Sequence, residues 1–325
     1  MSILATERAG SRSIPVIDIS GLHGAAAERA AVARELRTAC TDTGFFYVTG
    51  HGTQAALIEE VFRQSQRFFA LPDGQKLGLV TDKSSCRRGY EPSRVQTLEP
   101  GAPPDLKEGF LMGLDLPADH SVVRNDPVNH GANQWPDEPP RFKRVMTSYF
   151  EEMMRVSGIL MNGLALSLDL PVDYFDDFCD TPIAILRLLH YPPQPPNPAP
   201  GEKGCGAHTD WGGITVLLQD GAGGLQVLSA DGSWIAAPPI AGTFVVNIGD
   251  LFARWTNNLY RSTVHRVINT SGRDRYSVPF FFDGRSDHLV SCIPTCCSAD
   301  ESRRFADVTV RHHLDEMVRR TYATM

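Results

Sequence analysis

His208 and Asp210, in the stretch Gly206-Ala207-His208-Thr209-Asp210-Trp211-Gly212-Gly213, set an imidazole and a carboxylate two positions apart. On an extended strand, residues i and i+2 share a face, so both side chains reach one point in space. A second imidazole, His265, follows fifty-five positions after Asp210, in Ser262-Thr263-Val264-His265-Arg266-Val267. Two imidazoles and one carboxylate on one side of a metal leave its other positions open, a donor set suited to Fe(II). Alone, a His-x-Asp pair is more often a surface pair or a hydrogen-bonded core histidine. The weight therefore falls on the elements that would carry these residues.

Residues 183–282 hold many short β-rich runs separated by Gly, Pro and Asn turns. They fall at 185–189, 214–218, 225–228, 234–235, 244–248, 262–268 and 276–282, and strands at this spacing predict an antiparallel sandwich or barrel. The fold expected is mainly β with flanking helices, built on a double-stranded β-helix (jelly-roll) core. Before it, residues 14–19 read as an edge strand that tolerates Pro15, and 45–48 as a buried strand. Residues 25–43, 54–70 and 141–170 read as helices, the last opened by Pro139-Pro140. Its methionines, Met146, Met153, Met154 and Met161, read as core fillers. Between these elements, residues 76–131 lack any regular pattern and are expected to fold over a pocket. Arg88 and Lys107 within it read as solvated charges, and His51, between two glycines, as a turn residue or core hydrogen-bonder. Six prolines within residues 192–200 make an extended loop. Residues 300–324 read as a charged helix outside the sheets. No repeat or linker divides the chain, so one domain is expected: a helical and mixed region at 1–175, the jelly-roll core at 176–285 and a helical segment at 286–325.

Composition narrows the function. The chain has 325 residues, a net charge of −7, and 42% hydrophobic and 21% charged residues. No basic footprint suggests nucleic acid or an anionic membrane. No apolar run is long enough for a signal peptide or a membrane span. The seven scattered cysteines form no Cys-x-x-Cys pair, and reduced thiols in a cytoplasmic protein are expected.

Several further motifs follow one another: Gly223-Gly224-Leu225-Gln226-Val227, Val245-Val246-Asn247-Ile248-Gly249-Asp250, Trp255-Thr256-Asn257 and Arg275-Tyr276-Ser277-Val278-Pro279-Phe280-Phe281. With the His-x-Asp and His265 stretches, and with Ile14-Pro15-Val16-Ile17-Asp18 and Gly44-Phe45-Phe46-Tyr47-Val48 near the N-terminus, the chain resembles the isopenicillin-N-synthase-like family of Fe(II)/2-oxoglutarate-dependent dioxygenases over nearly its whole length. The resemblance implies that His208, Asp210 and His265 ligate iron, and that Arg275, Ser277 and Tyr191 hold 2-oxoglutarate. Arg275 and Ser277 share a strand face; a guanidinium offers a carboxylate two parallel hydrogen bonds and a serine hydroxyl adds a third. Many family members carry Asn-Tyr-Tyr-Pro where this chain has Leu189-His190-Tyr191-Pro192. Asn247 and Asp250 are expected to brace a strand turn. The reaction implied consumes O2 and 2-oxoglutarate, releases succinate and CO2, and hydroxylates, desaturates or rearranges a small organic molecule, a secondary metabolite by preference. Trp211, Phe110, Phe280 and Phe282 are expected to shape its pocket. A same-fold Fe(II) oxidase without 2-oxoglutarate shares the Arg-x-Ser motif and is the alternative, as is a non-catalytic carboxylate-binding jelly roll.

Overall fold

The computed structural model describes residues 13–297 and 303–322. Expectations for residues 1–12, and for the tail beyond 322, lie outside the described residues. Twelve strands build two sheets: β1 Val16–Asp18, β2 Phe45–Thr49, β3 Gly89–Glu91, β4 Glu108–Gly113, β5 Ile183–Tyr191, β6 Cys205–His208, β7 Ile214–Gln219, β8 Leu225–Leu228, β9 Trp234–Ala236, β10 Phe244–Ile248, β11 His265–Val267 and β12 Arg275–Gly284. The major sheet runs β1-β2-β10-β7-β12-β5-β4-β3 and the minor sheet β6-β11-β8-β9. The four antiparallel strands β10-β7-β12-β5 and the four of the minor sheet form the expected jelly roll. β1 is an edge strand, parallel to β2, and so tolerates the adjoining Pro15.

The two faces of the major sheet have different partners because side chains alternate along a strand. On β12, Val278, Phe280 and Phe282 join the large core beneath the helices Ala26–Asp42, Ala55–Phe69 and Phe142–Ser167. Phe150 of the long helix meets Phe280 edge-on, with ring centroids 5.2 Å apart. The other face looks toward the minor sheet. There Phe45, Tyr47, Leu189, Tyr191 and Val245 pack against Cys205, Leu225, Val227 and Val267. Met146, Met153 and Met161 are buried core residues and Met154 packs at the edge of that core. His51 is a buried hydrogen-bonder, its Nε2 3.1 Å from the Gly242 carbonyl.

Several expectations are corrected. Residues 76–131 supply β3 and β4, which extend the major sheet beyond β5. Arg88 and Lys107 are buried, at 3% and 4% exposure. Lys107 pairs with Asp105 and lies 3.5 Å from Cys205 Sγ, while Arg88 donates to the carbonyls of Cys86 and Asn129 at 3.2 and 2.7 Å. Their fixed partners replace the water a lone charge needs. Phe110, Phe280 and Phe282 point into the helix-side core and not into a pocket. The long helix starts at Phe142, after the two prolines, and the C-terminal helix spans Val310–Tyr322, with residues 303–309 before it non-helical and the expected start at 300 outside the described residues. Cys292 and Cys297 are joined by a disulfide, against the expectation of reduced thiols, while Cys40, Cys86, Cys179, Cys205 and Cys296 are free. Among the described residues no helix is long and apolar enough to cross a membrane.

Candidate active site

β6 and β11 lie antiparallel, and their register puts His265 directly opposite His208. The two rings are 4.3 Å apart between centroids. Asp210 arrives differently from the expectation. β6 ends at His208, so Asp210 lies past the strand, in a bend whose carbonyl accepts the Asp250 N–H at 2.8 Å. The bend still delivers the carboxylate: Asp210 Oδ1 is 3.8 Å from both His208 Nε2 and His265 Nε2. Among the described residues these three form the one group of side chains that could hold a metal ion, with their donor atoms within 4.8 Å of one another.

Each of these three side chains is held at its far end and left free at its near end. His208 Nδ1 lies 2.8 Å from the Gly206 carbonyl and His265 Nδ1 3.2 Å from that of Thr263. A carbonyl only accepts, so each Nδ1 carries the proton and each Nε2 presents a lone pair. Asp210 Oδ2 accepts from Thr215 Oγ1 at 2.6 Å and from Asn247 Nδ2 at 2.7 Å, which leaves Oδ1 for a metal. The charges agree. Burial lowers the basicity of His208, and burial together with the neighbouring His208 pushes His265 down to about 4. Burial works to raise Asp210, but His265, His208 and the two hydrogen bonds hold it below the ordinary carboxylate range. Two neutral imidazoles and one carboxylate, with no cysteine among them, are the donors Fe(II) takes.

Arg275 is fully buried on the inner face of β12. Its Nε donates to the Gly223 carbonyl at 2.7 Å and its NH1 to Ser277 Oγ at 3.0 Å, and its NH2 lies 3.5 Å from Gln219 Oε1. Gly223 and Gly224 turn with φ of 76° and 92°, and a Cβ at Gly224 would meet the Ile268 carbonyl at 2.5 Å. That tight glycine turn brings the Gly223 carbonyl to the guanidinium. The Tyr191 ring packs 4.8 Å from the guanidinium carbon, and the register pairs Tyr191 with Arg275. All these partners are neutral. No carboxylate of the described residues forms an ion pair with Arg275, so its charge is buried without compensation. Leu189 is a buried apolar residue of this face.

Residues unremarked in the sequence also build the site. Asp283, on the Arg275 face of β12, lies so close to Gly212 that a Cβ there would be 1.5 Å from its Oδ1. Burial, then the charge of Asp210, pushes the Asp283 carboxyl up to about 7. His313 of the C-terminal helix lies with Nε2 2.8 Å from the Trp211 carbonyl and anchors the bend after Asp210. Thr209 Oγ1 donates to Asp250 Oδ2 at 3.0 Å, so Asp250, like Asn247, braces this turn as expected. Strand-face alternation is the sequence signal for Asp283; none marks His313.

Residues 14–138 match the family described as non-haem dioxygenase in morphine synthesis N-terminal, and residues 182–284 match the 2OG-Fe(II) oxygenase superfamily. The 2-oxoglutarate-Fe(II) type oxidoreductase hxnY of Emericella nidulans is 41% identical over 95% of this chain and 89% of its own. The 2-oxoglutarate-dependent dioxygenase citB of Monascus ruber is 40% identical, over 95% of both chains. A full-length Neurospora crassa protein, solved in complex with alpha-KG, superposes with a TM-score of 0.86 at 32% identity over 97% of this chain and 98% of that one; its complex with alpha-KG and thymine gives 0.84 at 32%, over 98% and 99%. A buried triad with free ligand atoms, on a jelly roll matched over nearly its full length, leaves no place for a non-catalytic module: the chain belongs to the 2OG-Fe(II) oxygenase superfamily and is an Fe(II)/2-oxoglutarate-dependent dioxygenase.

Proposed function

We propose that His208 Nε2, Asp210 Oδ1 and His265 Nε2 ligate the Fe(II), that Arg275, Ser277 and Tyr191 hold the distal carboxylate of 2-oxoglutarate, and that the molecule oxidised is a small organic compound of the secondary-metabolite kind. One observation carries the cosubstrate assignment: a fully buried guanidinium with only neutral partners faces the same inter-sheet space as the triad. An uncompensated buried cation is costly, and a carboxylate ligand removes that cost. Spacing supports it. Gln219 pairs with Ser277 and lies four residues along β7 from Thr215, which touches Asp210. Four strand residues span about 13 Å, a distance that an arginine side chain and a five-carbon diacid fill together.

When bound, Fe(II) with 2-oxoglutarate and O2 supplies the oxidant that removes hydrogen from a C–H bond, while 2-oxoglutarate leaves as succinate and CO2. The protein contributes the rest. Thr215 and Asn247 hold Asp210 so that one oxygen stays available. The carbonyls of Gly206 and Thr263 hold both imidazoles in the ligating tautomer. The apolar residues between the sheets exclude bulk water. Support for a small-molecule substrate comes from the relatives, the Neurospora crassa protein having been solved with thymine.

Protein loaded anaerobically with Fe(II) and 2-oxoglutarate, then given O2, should form succinate in step with O2 uptake, and Asp210→Asn should abolish this. Undiminished succinate formation in Asp210→Asn would remove the triad from the reaction.

A further inference from the structure

At the β12-β5-β4-β3 end of the major sheet, several inner-face residues stay partly exposed. Ile185 and Arg187 on β5, Leu111 on β4, Glu91 on β3 and Phe281 on β12 retain exposure, while Leu186, Leu188 and Phe280 on the opposite face are sealed. The register sets Ile185, Phe281, Thr215 and Asn247 in one row across the sheet, and Thr215 and Asn247 hold Asp210. Arg187 stands one step along from that row and two strands from β7. Strand spacing and rise put its backbone about 12 Å from that of Thr215. The Arg187 side chain and a molecule the size of one substituted ring bridge that distance.

Arg187 differs from Arg275 in one respect. It is paired with Glu91, and its NH2 also lies 3.1 Å from Gln96 Oε1. The side chains of Arg187 and Glu91 are 13% and 18% exposed, so the pair lies at the wall of the space and is not sealed within it. The wall is shaped for it: a Cβ at Gly109 would be 3.2 Å from Glu91 Oε2 and 3.3 Å from Arg187 Nε. Resting on the assignment of the iron and 2-oxoglutarate sites above, we infer that the Glu91–Arg187 pair is the subsite that reads the substrate, and that it selects an uncharged molecule with a hydrogen-bond acceptor beside a donor, as in an amide, a lactam or a phenol next to a carbonyl. The acceptor faces Arg187 and the donor faces Glu91. A carboxylate is rejected because it would stand against Glu91, and like charges across a binding surface repel. The fold thus separates two guanidiniums: the uncompensated Arg275 takes the diacid, and the neutralised Arg187 takes the neutral substrate.

Two matched probes test this, 2-hydroxy-3-methylbenzamide and 2-hydroxy-3-methylbenzoate, titrated into the Fe(II)- and 2-oxoglutarate-loaded enzyme under anaerobic conditions. Binding is read by tryptophan fluorescence in the wild type, Glu91→Gln and Arg187→Gln. The wild type should bind the amide roughly tenfold or more tightly than the carboxylate. Glu91→Gln should shift that ratio roughly tenfold toward the carboxylate, and Arg187→Gln should shift it the other way, with KM for 2-oxoglutarate unchanged in both. A ratio that does not move across the three proteins, a wild type that prefers the carboxylate, or no binding of either probe to any of them overturns the inference. Absence of 2-oxoglutarate turnover in the wild type would instead contradict the iron and cosubstrate assignment, a result independent of the probe ratio.

Discussion

Replacing Arg275 with methionine keeps most of the side-chain volume and removes the charge. In the folded protein that guanidinium is fully buried, with a carbonyl, a hydroxyl and an amide as its partners. Its removal should therefore cost little in the ligand-free protein, because a desolvated charge without a counter-ion disappears with the lost hydrogen bonds. The cosubstrate-bound state should lose far more. Removing one partner of a buried ion pair costs about 3–5 kcal/mol, and at 1.4 kcal/mol per factor of ten this raises KM for 2-oxoglutarate by at least roughly a hundredfold. Two assays separate the terms. Steady-state succinate formation gives KM. Thermal unfolding with and without 2-oxoglutarate gives the ligand-dependent stabilisation, worth about 2.7 kcal/mol at a hundred times Kd. The variant should keep the ligand-free Tm and lose the ligand-induced rise. A KM within threefold of wild type, or an intact ligand-induced rise, would refute the reasoning.

Other perturbations follow from the same geometry. Asn247→Ala removes one of two donors to Asp210 Oδ2 and should weaken anaerobic Fe(II) binding by roughly 10–100-fold, measured by titration. The lowered basicity of His265 sets a pH dependence: because its folded value, about 4, lies below the ordinary 6.5, the unfolded chain binds the proton more readily between those values. Metal-free protein should therefore lose stability as pH falls from about 6.5 toward 4, and His265→Gln should show a shallower slope of Tm against pH in that window. Lys107→Met should destabilise the fold by roughly 3 kcal/mol because it strands the buried Asp105. Adding Asp105→Asn, which keeps an acceptor for the Gly206 N–H, should recover at least half of that in urea denaturation.

The chemistry is legible in the sequence where it depends on short spacing. His208 and Asp210 lie two positions apart, as do Arg275 and Ser277, and both pairs converge. The first does so through a bend rather than along a strand, which residue spacing alone cannot distinguish. The long helix is equally legible because its apolar period is local. What is not legible depends on distant partners. β3 and β4 are short, glycine-containing strands whose pairing is supplied by β5, far along the chain. Arg88 and Lys107 look like surface charges until Asn129 and Cys205 are brought beside them. Phe280 and Phe282 read as pocket residues, but the parity that points Arg275 and Ser277 inward points both phenylalanines toward the helices. Of that run, Phe281 is the residue on the inner face.

The most direct measurement is the anomalous-scattering map of crystals grown with Mn(II) in place of Fe(II) and with 2-oxoglutarate under anaerobic conditions. A single metal peak bonded to His208 Nε2, Asp210 Oδ1 and His265 Nε2, with the distal carboxylate of the diacid on Arg275 and Ser277, is the predicted result. A metal bound elsewhere, or an Arg275 that keeps its neutral partners while the diacid lies outside its reach, would contradict it.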